Sequence, residues 1–297
     1  LIFILAIFMM IVSSQLGLLN PDKHPSLRLL PLSLLGAIGF DSWIFRLQGV
    51  FPLLIIIYFI LSSSLITIQK IYCILFLFTM PVLYFNTLLI EYSVWTFVGI
   101  SLLYLSLVEK KILNERNIII LSYTLTLFGL IRGTALFGLL PLVIHALVSK
   151  QLMLIPKIIV ISVPSSIYLI TAKFEGTPAS YIPDELFLTF PTNMSTFERL
   201  ISSISRESAM QLLVTSGPVI LGLIAYLIFK LIFQRRWQVI SYLFISLIIF
   251  WSIFHIIRPI LWGVPRYQLE YIAPLGLLGF WILIKSLNRK YLYLINV

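Results

Sequence analysis

Charge is scarce in this chain. Only 11% of its 297 residues are Asp, Glu, Lys or Arg, while 60% are hydrophobic. That leaves too little polar surface to cover a soluble domain of this size. There is a single cysteine, Cys73, set in an apolar run, which excludes an internal disulfide framework, a cysteine-based zinc site and a cysteine-held iron–sulfur cluster within one chain. Also missing are a Gly-rich phosphate loop, a His-Glu-x-x-His helix, a Gly-x-Ser-x-Gly elbow and any repeat of fixed period, so soluble-enzyme chemistry has no support.

What the chain does have is a succession of Ile-, Leu- and Phe-rich blocks. At about 20 apolar residues per crossing they predict an all-α, polytopic transmembrane helical bundle of about 9–10 spans. Residues 1–297 read as a single membrane domain with outer loops at 20–48 and 172–209. The clearest apolar runs are Leu1 to Leu19, Val50 to Ile68, Ile71 to Ile90, Ser93 to Val108 and Asn117 to Ile131. Thr134 to Val148, Leu152 to Thr171, Met210 to Phe229, Val239 to Ile257 and Leu269 to Ile284 follow. Leu27 to Phe40 is apolar but short and interrupted by Pro31, which suits an interfacial helix along the outer leaflet better than a crossing.

The net charge of +10 becomes informative once it is sorted by side. If the first run ends outside, Lys70, Lys110, Lys111, Arg116, Lys150, Lys157, Lys230, Arg235, Arg236, Lys285, Arg289 and Lys290 all fall at cytoplasmic ends. Glu109 and Glu115 are the acids beside them. The other side receives nine basic residues and nine carboxylates, so the positive-inside rule sets the orientation. The basic excess is a topology signal and implies no nucleic-acid partner. Trp95, Trp237, Trp251, Trp262 and Tyr267, near run ends, read as an interfacial aromatic belt.

Polar chemistry therefore gathers outside. In the loop at 172–209, Gly176, Pro178, Pro183 and Pro191 mark turns. Ser195-x-x-Glu198 then forms a capping box ahead of Phe197, Leu200, Ile201 and Ile204 at helical spacing. Such a helix either rests on the membrane surface or lids a lipid-linked substrate. Asn193-Met194-Ser195 fits a glycosylation sequon, which matters only in the endoplasmic reticulum; the reading favours a bacterial cytoplasmic membrane.

The sharpest motif is Pro21-Asp22-Lys23-His24-Pro25-Ser26-Leu27-Arg28, a carboxylate, an imidazole and two cations held between prolines. Here the chain resembles the GT-C superfamily of polyprenyl- and dolichyl-phosphate-sugar glycosyltransferases. Its protein O-mannosyltransferase branch (family 39-like) carries Asp-x-His-Pro-Pro-Leu in its first outer loop; Ser26 replaces the second proline. Gly39 to Leu47, with Asp41 and Arg46, is similar to the family's Gly-x-x-Glu-x-x-x-Arg-Leu stretch, its acid one residue out of step. Pro81 to Glu91 is similar to a proline-containing helix ending at an outer carboxylate. Gly129 to Thr134 resembles a segment with a basic residue before glycine, here Arg132, and Pro265-Arg266-Tyr267 resembles the opening of the last helix. The family also carries an acidic pair after its first helix, whereas this chain has no acid before Asp22. Because the sequence opens at Leu1 inside an apolar run without an initiator methionine, an incomplete amino terminus is expected; otherwise the pair never existed here.

An enzyme acting on a lipid-linked sugar needs carboxylates at the membrane surface to deprotonate or orient the acceptor hydroxyl, and cations to stabilise the departing phosphate. Asp22 is the leading candidate base, followed by Glu91 and Asp41, each against the alternative of a capping or interfacial carboxylate. His24, Arg28, Arg46, Arg132, Arg258, Arg266 and Tyr267 are the candidate substrate-binding residues. Arg132 is the most constrained of them, because the two apolar runs around it are joined by barely two residues. His255 lies one turn before Arg258, and His145 reads as a core or interfacial histidine. Asp22 and His24 alone are too few ligands to argue a metal site, so the sequence supports no cofactor and leaves a divalent metal open.

The resemblance implies a glycosyltransferase that moves a hexose from a polyprenyl-phosphate carrier to a lipid, glycan or protein acceptor outside the membrane, with inversion at the anomeric carbon. The alternatives are an O-antigen polymerase- or ligase-type enzyme of envelope polysaccharide assembly, and a transporter or lipid flippase. The last would call for internal repeats or mid-span charges.

Overall fold

The computed structural model describes residues 50–80, 93–109, 113–131, 133–174, 206–237, 239–243 and 265–287, together with position 195. Everything regular among them is helix. The elements are α1 (Val50–Ser62), α2 (Thr67–Thr79), α3 (Ser93–Glu109), α4 (Glu115–Ile131), a 3-10 helix (Gly133–Gly138), α5 (Leu139–Val148), α6 (Leu154–Phe174), α7 (Arg206–Phe233) and α8 (Pro265–Ser286). The all-α expectation therefore holds for the described residues. Among them, no helix is long and apolar enough to cross a membrane. At about 1.5 Å per residue, the 17 residues of α3 or α4 span about 26 Å.

Local chemistry sets the helix limits. The run expected as one span over 50–68 breaks at residues 63–66, because the hydroxyls of Ser62 and Ser63 turn back onto the carbonyls of Phe59 and Ile60 and compete with continued helical pairing. The amide oxygen of Gln69 accepts the N–H of Ile66 at the next start, and its nitrogen donates to the carbonyl of Ile284 at 2.9 Å. Asn114 caps α4 by accepting the N–H of Asn117 at 2.9 Å. The run at 134–148, expected as a single span, begins instead with six residues of 3-10 helix. α7 is bent at Gly217, whose φ of 77° and ψ of 151° lie outside the helical region, immediately before Pro218. Pro265 opens α8, a position where proline's missing N–H is harmless.

α3 and α8 form the centre, and both are buried along nearly all their described side chains. They run parallel. Near their starts Thr96 meets Thr134 and Tyr271 meets Thr134; at their ends Glu109 meets Trp281 and Lys285. α7 runs parallel to α8, with Ile220 against Gly276 and Leu223 against Gly279. α2 runs the opposite way, its Phe76 ring stacked on Phe280 at 4.2 Å. α6 follows α4, joined by Lys157 to Glu115 and by the Ser165 hydroxyl to the carbonyl of Thr126. The peripheral helices α1, α2, α6 and α7 turn large apolar side chains outward, among them Tyr58, Phe78, Val160, Val219 and Phe229.

Candidate functional site

The helix directions divide the polar residues between two ends. One is cationic: Lys70, Arg116, Lys150, Lys157, Lys230, Arg235, Arg236 and Lys285 lie at the helix ends that meet there. Glu109 is its anchor. One carboxylate oxygen accepts the indole N–H of Trp281 at 2.8 Å and pairs with Lys285 at 2.7 Å. The Arg236 guanidinium donates to the carbonyls of Val108 and Leu107 at 3.0 and 3.4 Å, capping the last turn of α3 with positive charge where the helix dipole is negative. Burial pulls that guanidinium below its ordinary pKa, and the Glu109 carboxylate pushes it back up.

His145 also belongs to this end. It is buried, its Nε2 accepts the Leu113 N–H at 3.3 Å and its ring stands edge-on to Tyr242; this is the expected core histidine. Trp237 is exposed nearby.

The other end is lined by hydroxyls. The side-chain oxygens of Thr96 and Thr134 lie 3.0 Å apart, and the Tyr271 hydroxyl donates to the Thr134 carbonyl at 2.6 Å. Three elements, α3, the 3-10 helix and α8, are thereby fastened together. Glu270, next to Tyr271, is fully buried. Thr96 and Glu109 are 13 residues apart on α3, and Tyr271 and Lys285 are 14 apart on α8. At about 1.5 Å per residue the two polar layers are about 20 Å apart.

Asp22, His24, Arg28, Asp41, Arg46, Glu91, Arg132 and Arg258 lie outside the described residues. So does the helix expected after Ser195, although Ser195 itself is exposed. Arg266 and Tyr267 fall in the first turn of α8, of which the backbone is described. In sequence, Arg132 separates the last residue of α4 from the first of the 3-10 helix, and Glu91 precedes α3 by two residues.

Sequence reasoning missed Thr96, Thr134, Glu270 and Tyr271. Glu270 carried a usable signal: it follows Arg266 by four residues within the last apolar run, the spacing that brings two side chains onto one helix face. The threonines carried none, because their pairing joins distant parts of the chain.

Among the described residues no group of three or more His, Cys, Asp or Glu side chains could hold a metal ion. Comparison of the chain with protein families, curated proteins and solved structures returns no match.

Proposed function

We propose that this chain is a membrane glycosyltransferase that moves a sugar from a polyprenyl-phosphate carrier to an acceptor at the outer, hydroxyl-lined end of its helical bundle. The observation that carries the reading is the 2.6 Å hydrogen bond from Tyr271 to the Thr134 carbonyl. It ties Thr134, the last residue of the family-like stretch Gly129 to Thr134, to the helix that a second family-like stretch, Pro265 to Tyr267, opens about 130 residues later.

A membrane setting is supported by the outward-facing apolar side chains of the peripheral helices. Polar layers at both ends of the bundle support it as well, since about 20 Å between them fits within reach of both boundaries of a hydrocarbon layer about 30 Å thick. Cations concentrated at one end match the positive-inside pattern, so the hydroxyl end faces outward.

In the proposed reaction the acceptor hydroxyl attacks the anomeric carbon, its proton passes to a carboxylate, and the bond from that carbon to the carrier phosphate breaks with inversion. Asp22 is the proposed base, with Glu91 and Asp41 as the other carboxylates of the site. Arg132, Arg258 and Arg266 are proposed to stabilise the departing polyprenyl phosphate, with His24, Arg28, Arg46 and Tyr267 in the donor and acceptor pockets.

The test is reconstitution of the full chain in proteoliposomes with a polyprenyl-phosphate hexose and a soluble glycan acceptor. Sugar transfer is expected, and Asp22→Asn should abolish it at unchanged protein level. Translocation of the lipid without transfer would replace this reading with a flippase.

A further inference from the structure

Two helices finish at the cationic end in the same way. α5 stops at Val148 and α7 at Phe233, and two residues further on Lys150 and Arg235 take left-handed backbone, with φ of 58° and 54°. The next N–H then reaches back into each helix, from Gln151 to the Ala146 carbonyl at 2.8 Å and from Arg236 to the Leu231 carbonyl at 2.9 Å. Glycine ordinarily fills such a position, because a Cβ strains left-handed backbone. Here a basic residue stands there both times, and among the described residues no other non-glycine has positive φ.

Each corner sets its exposed cation among exposed apolar side chains. Around Lys150 these are Leu147, Val148, Leu152 and Met153, the last 79% exposed. Around Arg235 they are Phe229, Ile232, Phe233 and Trp237, with the Phe233 ring 76% exposed and stacked beside Phe229. Leu152 and Met153 lie in the connection from α5 to α6, and Trp237 lies past the end of α7. They are therefore not the outer flank of a crossing helix, and in water they would be bare apolar surface. The carboxylates whose side chains are described at this end, Glu109 and Glu115, pair with Lys285 and Lys157 and not with Lys150, Lys230 or Arg235.

We propose that these two corners bind the headgroups of anionic phospholipids in the cytoplasmic leaflet, with the apolar side chains in the acyl boundary and Lys150 or Arg235 on the phosphodiester. This rests on the membrane setting and orientation above and is independent of sugar transfer. A cation beside aromatic and aliphatic side chains at a helix end is the composition of an interfacial anchor, and anionic headgroups favour it over zwitterionic ones, which bring their own cation. The helix dipole is negative at these ends, so the attraction for phosphate has to come from the side chains.

The experiment uses the full chain in nanodiscs of equal parts phosphatidylglycerol and phosphatidylcholine, with bromine on the acyl chains of one or the other. A bimane on Gln234→Cys or Met153→Cys reads the lipid at its own corner, and the native Cys73 is buried. Brominated phosphatidylglycerol is expected to quench as though enriched about fivefold, the effect of one cation near an anionic surface. Arg235→Gly should remove most of the enrichment at the α7 corner and Lys150→Gly at the α5 corner. Lys157→Gln, whose lysine pairs with Glu115, should leave it within about twofold. In discs of phosphatidylcholine alone both glycine variants should unfold at the wild-type temperature or above it, because glycine suits this φ.

Equal quenching by the two lipids in the wild type, or enrichment that survives the glycine variants, would overturn the sites. So would an equal loss in Lys157→Gln, which would make the preference a diffuse charge effect. Earlier unfolding of the glycine variants in phosphatidylcholine would make the cations caps of the helix dipole and overturn the sites as well. If a glycine variant does not fold, asparagine at the same position tolerates the backbone and should show the same loss. A wild-type chain whose corners are quenched by neither lipid would overturn the sites alone; a chain that does not enter nanodiscs would overturn the membrane setting with them.

Discussion

Glu109 and Glu115 are both carboxylates paired with lysine, yet their surroundings give them different weight. The Glu115 and Lys157 side chains are more than half exposed, at 56% and 51%, whereas Glu109 is 18% exposed and also accepts from Trp281. Solvent screens the first pair, so Lys157→Gln should lower stability by less than about 1 kcal/mol. Glu109→Gln removes the charge facing both Lys285 and Arg236, and should cost about 1–2 kcal/mol after discounting for the half-exposed lysine. Thermal unfolding in detergent gives the ranking, and Trp281 emission should report the change at Glu109; the reverse order would mean that packing alone holds this end. At the hydroxyl end, the proposed phosphate contacts predict that Arg132→Ala and Arg266→Ala each slow sugar transfer by about 10- to 100-fold. Lysine should recover only part of that, because an ammonium cannot copy the two-pronged contact. Unchanged transfer rates in both alanine variants would make these arginines topology or packing residues.

Two elements touch closely because glycine allows it. A Cβ at Gly279 would stand 2.3 Å from the carbonyl oxygen of Leu223, so α8 and α7 approach backbone to backbone there, the small-residue packing common between helices in membranes. At Gly138 the nearest atoms to a Cβ would be the side-chain ends of Ile100 and Leu125, at 2.8 Å. Side-chain ends can move and a helix carbonyl cannot without moving its helix. Gly279→Ala should therefore destabilise by about 2–3 kcal/mol and Gly138→Ala by about 1 kcal/mol. Detergent unfolding midpoints check the order, and equal losses would show that the α7–α8 contact is looser than its geometry. The 3-10 helix before α5 has a similar logic of reach. Six residues rising about 2.0 Å each and ten rising about 1.5 Å give about 27 Å, close to the length of the 17-residue α4 alongside.

Over the whole molecule, the alternating helix directions bring Lys70, Lys157, Lys230, Arg236 and Lys285 to one end although they are spread over more than 200 residues. The orientation proposed from charge predicts which positions meet the outside. Cysteines introduced at Ser26 and Ser195 should react with an impermeant thiol reagent on intact cells, and one at exposed Asn114 should react only after permeabilisation. The native Cys73 is buried and should add no background. The opposite labelling pattern would invert the bundle and remove the outer-site assignment.

Helix content was legible from composition and run length alone, because apolar blocks this long can satisfy their backbone groups only within themselves if they lie in lipid. Charge sorting likewise anticipated which helix ends share a side, since Lys and Arg at successive connections already encode it. The sequence could not show that the apolar run at 50–68 divides at Ser62–Ser63 or that the run at 134–148 starts as a 3-10 helix. Both depend on hydroxyl hydrogen bonds and on close approaches such as Gly138 to Ile100. Nor could it pair Thr96 with Thr134 or Tyr271 with the Thr134 carbonyl, because contacts across 38 and 137 positions are settled by how helices pack. The burial of Glu270 follows from the same packing. A carboxylate in the first turns of an apolar helix can sit in water or in the core, and only α8's place beside α3 at the centre of the bundle decided that this one lies inside.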